Sequence, residues 1–527
     1  MASAQKIIKA RDALKSKRST YRMLCDEVAR LFSPDMQDLL KAPEGSEILQ
    51  PITSTGILAQ ERMTSGLFSN TMSMGRGNII DQDPIKMKMS GVPRFYTALS
   101  KTTHRRIQTS PFPEKYEELL RGFDLRGEGV MYVYFNGITK EHEFSVYPSV
   151  RCFPVRDSKG AVVEMYREYE LTALQAVLDF GHENVSEVVQ KAFNRDDHDV
   201  KFEFIHCVRP RRERNAKRLD AANMRFESVH VEVGQKKVVR ESGTKRMRYL
   251  MPRCFVRDGE DCGRSPAMLA LPVARTLMQV VKDHMDGMEL QIGPPIFLPD
   301  AQAVERAVLK AFTVNYCDMS NSSPFVYDGK GNLQLSADFI KVLSEEINKL
   351  HYVDLFAMLE QIKTGQKTAY EISQLVAERI QAISPVVNRL SSGFFAPLYE
   401  IVAEDILEHK LLNEPAPSVL RGSEFRVLYT SRLDVQLADL ELSIISQAIA
   451  ASADEHGVRL IGLSALMTTT VTSMKETISR LREGGYVHGI MVGGAVLTPE
   501  YAEMIGADFY AKDAQEAVRT ANRFFGV

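Results

Sequence analysis

The feature that most constrains this fold is a long apolar segment near the middle of the chain with a clear start and a clear stop. Ser265-Pro266 is a start signal, because serine caps helices and proline suits the first helical position. Gly293-Pro294-Pro295 is the stop. Between them, apolar residues recur at helical spacing, at Leu269, Val273, Leu277, Val280 and Met288. The pattern predicts a helical rod roughly 40 Å long.

Composition limits what can surround this rod. The chain has 527 residues, and single cores rarely grow beyond roughly 250–300 residues, so we expect several domains. The formal net charge is −2, so any contact with nucleic acid must be local.

Cysteine usage and the N-terminus exclude several classes of protein. The six cysteines form no CxxC pair, which argues against a zinc site and a disulfide framework. Residues 1–18 are polar and basic, unlike a secretory signal. The sequence contains no apolar run long enough to span a membrane. We therefore expect reduced thiols in a cytosolic setting.

Helical and β-rich patterns alternate before residue 265. A basic amphipathic helix is predicted from about Ile7 until Ser33-Pro34, with its cations forming a solvated face rather than a DNA site. Strands are predicted within 127–171 and 201–250. The basic run Arg209–Arg214 lies between two strand signals and could bind phosphates, but an exposed loop is the favoured interpretation.

After Pro295 a short mixed segment, 296–338, precedes a second helix with Leu343 through Phe356 on one side. The polar loop Lys363–Lys367 follows. A longer helical pattern then runs to Ile401, in which Pro385 and Pro397 are expected to produce kinks.

From about residue 459 the pattern changes class. Strands are predicted at 459–464, 488–493 and 509–510, alternating with helices at 471–483, 499–505 and 513–525. This alternation is typical of an α/β parallel sheet. A three-stranded sheet leaves an exposed edge, for which a neighbouring subunit is the expected partner.

Catalytic motifs are absent from the sequence. Gly259–Ser265 lacks the spacing and the lysine of a Walker A loop, and no HExxH, GxSxG or GxGxxG is present. The eleven histidines have no metal-ligand spacing. The pattern favours a mechanical or assembly role over an enzyme.

Several segments together resemble the head-to-tail connector (portal) family of short-tailed bacteriophages. They are Thr55–Leu67, Tyr166–Thr172, Gly263–Pro266, Lys367–Glu371, Ser384–Leu390 and Phe395–Leu398. Their order and spacing carry the resemblance more than any one of them. Two features depart from the family: Cys262 stands where an aromatic residue is usual, and the chain has no tryptophan.

This resemblance implies an α+β, mostly helical portal fold with wing, stem and clip parts. Its implied boundaries are a wing at 1–265, a stem helix at 266–295, a clip at 296–339 and a second stem helix at 340–358. A tunnel loop and a long kinked wing helix are implied at 359–440, followed by a crown-side α/β segment at 441–527 that resembles half a Rossmann fold. Lys363 and Lys367 in the tunnel loop are candidates for DNA contacts in the channel, and ordinary solvated lysines are an equal alternative.

The implied function is a ring of about twelve subunits at one capsid vertex, through which double-stranded DNA is packaged and ejected. The implied partners are other copies of the chain, capsid and scaffolding proteins, terminase, a tail adaptor and weakly bound DNA. The subunit would be a passive conduit in the virion, assembled in the host cytoplasm, with ATP hydrolysed by a separate motor.

The C-terminal part carries a second resemblance. Gly462–Thr470, Met491–Ala495 and Ile505–Ala514 are similar to the second half of corrinoid (cobalamin)-binding domains. In that family the positions of Ser464, Thr468, Gly493 and Gly494 line the cleft for the nucleotide tail of the cofactor.

The DxHxxG loop of that family, whose histidine binds cobalt, is absent, since Asp454–Gly457 has its Asp and His in the wrong frame. We therefore expect no cofactor and no metal here. A corrinoid-binding methyltransferase component is the alternative function.

Overall fold

The computed structural model describes residues 4–36, 51–72, 76–215, 218, 220–300, 307–317, 323–327, 333–362, 381–420, 424–430, 449, 453, 455–464, 468–483, 486, 488–494 and 497–526. The chain divides into two compact units. The first comprises Met1–Phe356 and Val386–Thr430, and the second comprises Ala357–Pro385 and Ser431–Val527. The fold is mixed, with helices and sheets in both units.

The helices that begin in the first unit pack around several apolar clusters. They are α1 (Ala4–Lys17), α2 (Ser19–Phe32), α3 (Thr55–Thr71), α4 (Val92–Gln108), α5 (Phe112–Arg126), α6 (Ala173–Phe180), α7 (Glu187–Asn194), α8 (Pro266–Ile292), α9 (Leu333–Leu350), α10 (Val353–Ile362) and α11 (Ala396–Glu408). Val28 of α2, Leu271 and Leu277 of α8, and Ile347 of α9 are buried in the same cluster. Burial of these side chains holds α8 against its neighbours.

Four sheets belong to the first unit. Their strands are β1 (Arg76–Asp81), β2 (Met131–Asn136), β3 (Glu141–Val146), β4 (Cys152–Arg156), β5 (Val162–Thr172), β6 (Lys201–Pro210), β7 (Phe226–Glu232), β8 (Lys237–Thr244), β9 (Tyr249–Leu250), β10 (Ile296–Pro299), β11 (Val314–Cys317), β12 (Phe325–Val326) and β13 (Phe425–Thr430). The largest sheet has the order β4-β5-β6-β7-β8 and is antiparallel throughout. The others are β3-β2-β9, β11-β10-β12 and the pair β1-β13. The strands predicted within 127–171 and 201–250 are confirmed.

The N-terminal pattern forms two helices, so the expectation of one continuous helix is wrong. The break falls at Arg18, whose side chain is buried and paired with Glu128. The basic face is also not fully solvated, because Arg11 is buried and contacts Glu168 at 2.9 Å and Glu203 at 2.6 Å. These ion pairs attach α1 to the five-stranded sheet.

The basic run after β6 agrees with the loop interpretation. Residues 211–215 form no strand or helix. Arg209 bonds to Glu227, and Arg211 lies 3.1 Å from Glu241. Carboxylates of neighbouring strands therefore neutralise the two arginines closest to the sheet.

The predicted helix through Leu343 and Phe356 is interrupted. His351 and Tyr352 separate α9 from α10, and Tyr352 has a positive φ of 56°. His351 is buried and stacks on Phe32 with ring centroids 5.3 Å apart, and its Nδ1–H donates to the carbonyl oxygen of Ile347 at 2.9 Å. Burial lowers the pKa of His351 to about 4. A neutral imidazole therefore terminates α9, and no proline or glycine marks the break.

The proline-containing helix is distorted at one place rather than two. Residues 381–390 are α-helical through Pro385, and Ser391–Phe395 then form a π-turn directly before α11. Pro397 has no N–H, and its ring would crowd the carbonyl of Gly393 in a regular helix. The wider turn relieves that crowding.

The second unit contains a parallel sheet of β14 (Leu460–Ser464), β15 (Gly489–Gly493) and β16 (Phe509–Ala511), in that order. Its described helices are α12 (Thr468–Glu483), α13 (Pro499–Met504) and α14 (Ala514–Phe525). Ile461, Ile490 and Val492 of the sheet form a core with Ile478 and Leu481 of α12. The alternation predicted from residue 459 onward is confirmed.

Within the described ranges, every helix is too short or too polar to cross a bilayer.

Candidate functional site

The start of α8 is fixed by the motif Gly263-Arg264-Ser265-Pro266. Ser265 is fully buried, its Oγ accepts the N–H of Met268 at 2.9 Å, and it donates to the carbonyl oxygen of Leu125 at 2.7 Å. Arg264 forms a bidentate salt bridge with Glu260, in which both nitrogen–oxygen distances are 2.7 Å. One hydroxyl therefore caps α8 and also ties it to the end of α5.

Glycine is required at Gly263 because two backbone segments touch there. A Cβ on Gly263 would lie 2.0 Å from the carbonyl oxygen of Gly127. Gly127 itself has a φ of 78° and leaves equally little room against Gly263. Any larger residue at either position would separate α8 from the end of α5.

The region where the start of α8 contacts the end of α5 is hereafter the base of α8, and it contains a buried carboxylate. Glu128 is 1% exposed and accepts hydrogen bonds from Arg18 and from the N–H of Gly263, the latter at 3.1 Å. Arg156 lies 3.6 Å from the same carboxylate. Because burial of a charge is costly without partners, this cluster holds α2, the 127–128 turn and the start of α8 in one arrangement.

Beyond this base, α8 and α9 form an antiparallel hairpin. Nδ1 of His284 and Oγ of Ser336 are 2.6 Å apart, and a Cβ on Gly287 would lie 3.1 Å from Leu333. The buried residues of α8 all lie between Pro266 and Leu277, and those of α9 are Leu343 and Ile347. The two buried halves face each other, and the far half of the hairpin is exposed.

The hairpin ends in a small sheet, hereafter the terminal sheet, made of β10, β11 and β12. Strand β10 pairs parallel with β11 and antiparallel with β12. Phe297 and Phe325 stack with centroids 4.8 Å apart. At the junction the ring of Phe312 lies against Gly293, where a Cβ would be 2.3 Å from the ring and would displace it.

The far half of the hairpin and the terminal sheet expose large apolar side chains. They are Met285, Met288, Ile292, Ile296, Val308, Leu309, Phe312, Val314, Tyr316, Phe325, Val326, Leu335, Phe339 and Val342. Their exposed fractions range from 39% to 74%. A cluster of this kind on one part of a folded chain indicates a surface for another protein.

The hairpin carries little net charge. Helices α8 and α9 together have four Lys or Arg residues and six Asp or Glu residues. Arg275 is paired with Glu27, and Lys341 lies 3.7 Å from Asp338. The hairpin is therefore slightly acidic, and a surface of this charge does not bind nucleic acid tightly.

Lys363 and Lys367 lie outside the described residues, as do residues 367–371 of the connector motif. The channel prediction for these lysines therefore stays a prediction.

The structure brings together three of the four positions of the corrinoid-like cleft. Ser464 and Gly493 are paired at the carboxyl ends of β14 and β15, Gly494 follows at a φ of 134°, and Thr468 begins α12. A Cβ on Gly493 would lie 2.6 Å from the carbonyl oxygen of Ala511. Packing of β15 on β16 alone therefore requires glycine at this position.

The described residues supply only part of a corrinoid site. The carboxyl edge of a parallel sheet is where ligands of α/β folds bind. His456 and His488, the described histidines of this unit, precede the amino ends of β14 and β15. No described cluster of His, Cys, Asp or Glu could hold a metal ion. Small residues at the edge fit a cofactor tail, but the described edge offers no histidine for cobalt.

Sequence reasoning missed the buried Glu128 and its cations. The sequence around it, Gly127-Glu128-Gly129, gives one weak signal, since a charge between two glycines is unusual within a strand or helix. Its partners Arg18 and Gly263 are far away along the chain, and single-sequence patterns do not report such contacts.

Comparison with known proteins identifies the long N-terminal part of the chain. The family model described as bacteriophage head to tail connecting protein matches residues 4–457.

The chain belongs to this family.

Two curated relatives of this connector chain are phage proteins. The portal protein of Salmonella phage epsilon15 is 25% identical over 466 residues, covering 84% of this chain and 82% of the relative. The probable portal protein of Bordetella phage BPP-1 is 30% identical over 283 residues, covering 53% of this chain. The match spans 51% of the length of the BPP-1 protein.

The corrinoid resemblance is confirmed for the C-terminal part. A B12 binding domain model matches residues 421–519. Dimethylamine corrinoid protein 1 of Methanosarcina mazei is 27% identical over 206 residues, covering 94% of that protein but 35% of this chain. The connector match covers far more of the chain, so the corrinoid-like part is an addition to a connector body.

Proposed function

We propose that this connector chain is a portal subunit, whose copies close into a ring at a capsid vertex through which double-stranded DNA is packaged and ejected. The observation that carries the proposal is the hairpin with its terminal sheet. It is anchored rigidly at its base, and its far part exposes apolar side chains that the described residues do not cover. Membership of the connector family supports the same conclusion.

The hairpin offers the kind of interface from which a ring can be built. Two different faces of one subunit that bind each other generate either a closed ring or an open filament. The exposed residues lie on both α8 and α9, for example Met288 and Leu335, so each hairpin offers apolar residues on two helices. A ring of about twelve copies would place such hairpins side by side around a channel.

On this proposal α8 and α9 are the stem, the terminal sheet belongs to the clip, and the rest of the first unit forms the wing. Residues 359–440 contain the tunnel loop, with Lys363 and Lys367 as the candidates for DNA contact. The near-neutral, slightly acidic stem supports weak binding of DNA without sequence preference. The clip is the docking platform for terminase and later for a tail adaptor.

The subunit acts mechanically rather than as an enzyme. The proposal places it in the virion after assembly with capsid and scaffolding proteins in the host cytoplasm, with packaging energy supplied by a separate ATPase. It requires no cofactor. The corrinoid-binding methyltransferase component is the weaker alternative, because its match covers a third of the chain and the described sheet edge lacks a cobalt ligand.

The test is electron microscopy and native mass measurement of the purified chain. We expect rings with a central hole wide enough for a DNA duplex. The double variant Val314→Asp/Val326→Asp places charges on the two edge strands of the terminal sheet, and we expect it to lower the ring fraction strongly while the chain stays folded. Ile138→Asp is the matched control, because Ile138 is 94% exposed in a turn away from that sheet.

Monomers of the wild-type chain at all concentrations would contradict the proposal. A spectrum of bound cobalamin in the purified protein would instead favour the corrinoid alternative.

A further inference from the structure

A cavity in the first unit is lined by four cations and by no carboxylate among its described walls. Its volume is about 470 Å³. The cations are Arg156, Lys159, Arg253 and Arg389. Ligand cavities in proteins have volumes of about 300–1,000 Å³. The position is distinct from the hairpin and from the corrinoid-like sheet edge.

Arg156 is the innermost of these cations. Its side chain is 6% exposed. Nη1 donates to the carbonyl oxygen of Gly160 at 3.0 Å and Nη2 to that of Met251 at 3.3 Å, whereas Nε has no hydrogen-bond partner among the described residues. An unpartnered N–H on a buried guanidinium is costly, and a ligand oxygen would satisfy it.

Arg253 and Arg389 each have guanidinium N–H donors for which no hydrogen bond is described. Each makes one described hydrogen bond through Nη1, Arg253 to the carbonyl oxygen of Glu260 at 3.4 Å and Arg389 to that of Cys254 at 2.7 Å. A guanidinium has five N–H donors. Neither forms an ion pair with any described residue, so both retain donors for an anion.

The turn that leads into β5 leaves space for this arrangement. Gly160 has a φ of 85°, and a Cβ on it would lie 2.5 Å from Nη2 of Arg253. A side chain at position 160 would therefore displace the guanidinium. Lys159 on the same turn is exposed at the entrance of the cavity.

Electrostatics favour an anion strongly. Burial lowers the pKa of Arg156, and the charges of Arg253 and Arg18 lower it further against the opposing effect of Glu128. Two carboxylates lie near these cations. Glu128 is 3.6 Å from Arg156 and is also bonded to Arg18 and to the N–H of Gly263, and Asp157 accepts the backbone N–H groups of Lys159 and Ala161. Four cations against two carboxylates, one of them shared with Arg18, leave the cluster with an excess of positive charge.

We propose that this cavity binds a small organic phosphate, with the phosphate group among the three arginines and its apolar body against the remaining wall. Guanidinium groups match phosphate oxygens with paired hydrogen bonds. A phosphate monoester carries about −1.5 to −2 charges at neutral pH, so it compensates four cations better than a carboxylate does. Met247, Leu250, Val256 and Pro397 form apolar wall on which an aromatic or aliphatic body packs.

The bound phosphate would join three chain segments. Arg156 and Lys159 flank the turn after β4, Arg253 precedes α8, and Arg389 lies in the helix before the π-turn. Ligand binding is therefore expected to raise the thermal stability of the first unit, with the logarithm of the free ligand concentration once that exceeds Kd.

The test is calorimetric titration of the full chain with phenyl phosphate at constant ionic strength, with benzoate and inorganic phosphate as comparison probes. We expect saturable binding of phenyl phosphate that is tighter than that of either comparison probe. The affinity should fall as pH drops through about 6, where the phosphate gains a proton.

Variants locate the binding. We expect Lys159→Gln to weaken phenyl phosphate about threefold and Arg389→Gln about tenfold or more, as loss of charge-assisted hydrogen bonds implies. Lys191→Gln and Arg94→Gln remove exposed cations elsewhere and should leave the affinity unchanged. Because Lys159 is exposed, its substitution tests the site even if Arg389→Gln does not fold.

Three results would overturn the proposal. They are no saturable binding to the wild-type chain, equal affinities in Lys159→Gln and wild type, and equal or tighter binding of benzoate. A short DNA duplex is the remaining arm of the experiment. Duplex binding that is lost in Lys159→Gln, without phenyl phosphate binding, would assign these cations to the DNA backbone instead.

Discussion

The two halves of α8 differ in where their apolar residues find partners. From Pro266 to Leu277 the helix is buried against α2, α5 and α9, and its start is capped and attached to α5. From residue 278 to Ile292 no residue is buried, and Met285, Met288 and Ile292 are between 43% and 72% exposed. The first half has its apolar partners within the chain, whereas the second half keeps large apolar side chains exposed among the described residues.

This difference explains how a long helix can be both rigid and available for assembly. The base holds the direction of the rod, because Ser265, Gly263 and Glu128 contact separate segments of the chain. The far half then presents apolar residues at a fixed place. Substitutions at the base should therefore change folding stability, and substitutions in the far half should change assembly.

The largest effect on stability is expected for Glu128→Ala. It leaves Arg18 buried without its carboxylate and Gly263 N–H without an acceptor. Loss of one partner of a buried ion pair costs about 3–5 kcal/mol. The free energy of unfolding of the unassembled chain in urea measures it.

Glu260→Ala is the matched control, because its carboxylate is 33% exposed and pairs with Arg264, four residues away in the same loop. We expect it to cost less than about 1 kcal/mol. If Glu128→Ala lowers the free energy of unfolding no more than the control does, the buried ion pair does not stabilise the base.

A pH-dependent effect is expected at Asp124, near the base. Burial raises the pKa of Asp124 to about 8 against the opposing hydrogen bonds of Thr64 and Gln60. The folded chain therefore keeps a proton that the unfolded chain releases near its ordinary pKa of 3.8. The resulting contribution to stability is complete below pH 4 and decreases as pH rises to 8, by about 1 kcal/mol per pH unit.

Asp124→Asn removes this titration while keeping the shape of the side chain. The difference in unfolding free energy, wild type minus variant, should decrease steadily between pH 5 and 8 and level off above 8. Asp199→Asn, at an exposed position, should show a constant difference over the same range. A constant difference for Asp124→Asn as well would show that this carboxyl is ionised in the folded chain.

Ser265→Ala should have a smaller effect. It removes the cap on Met268 N–H and the hydrogen bond to Leu125. The expected loss is about 1–2 kcal/mol. Thr276→Ala, at an exposed position of the same helix, is the control and should change unfolding by less than about 0.5 kcal/mol. Equal losses in the two variants would mean that the cap does not anchor α8.

The smallest effect on stability is expected in the far half. Leu335→Gln replaces a side chain that is 67% exposed by a residue of similar helix propensity. We expect a change below about 0.5 kcal/mol in the unassembled chain together with a measurable loss of rings. Leu271→Ala, in the buried half, should cost about 2–5 kcal/mol. Similar changes in the free energy of unfolding for the two substitutions would show that the two halves of the hairpin do not differ in burial.

Elements with local signals were predictable from the sequence. The bounds of α8 follow from Ser265-Pro266 and Gly293, and the alternation of strands and helices after residue 459 follows from short apolar runs separated by turns. In both cases propensity, capping and burial favour the same structure. When these local signals agree, the structure of a segment can be predicted without knowing its tertiary contacts.

Elements that depend on distant partners were not predictable. The break at Arg18 depends on Glu128, and the break at His351 depends on stacking against Phe32. Strand β1 pairs with β13, although 343 residues lie between Asp81 and Phe425, the residue opposite it in the pair. No local pattern marks such a pairing. The cavity of Arg156, Arg253 and Arg389 is hidden in the same way, because its cations come from three separate segments.

Hydrogen exchange of the assembled and the unassembled chain tests the central distinction most directly. Amides of the terminal sheet and of α9 around Leu335 should exchange more slowly in the assembled protein, because neighbouring subunits cover them and suppress local opening. Amides between Met268 and Leu277 should exchange equally in both forms. Equal exchange of the far half in the two forms would contradict the account, since the exposed apolar residues would then have no partner in the assembly.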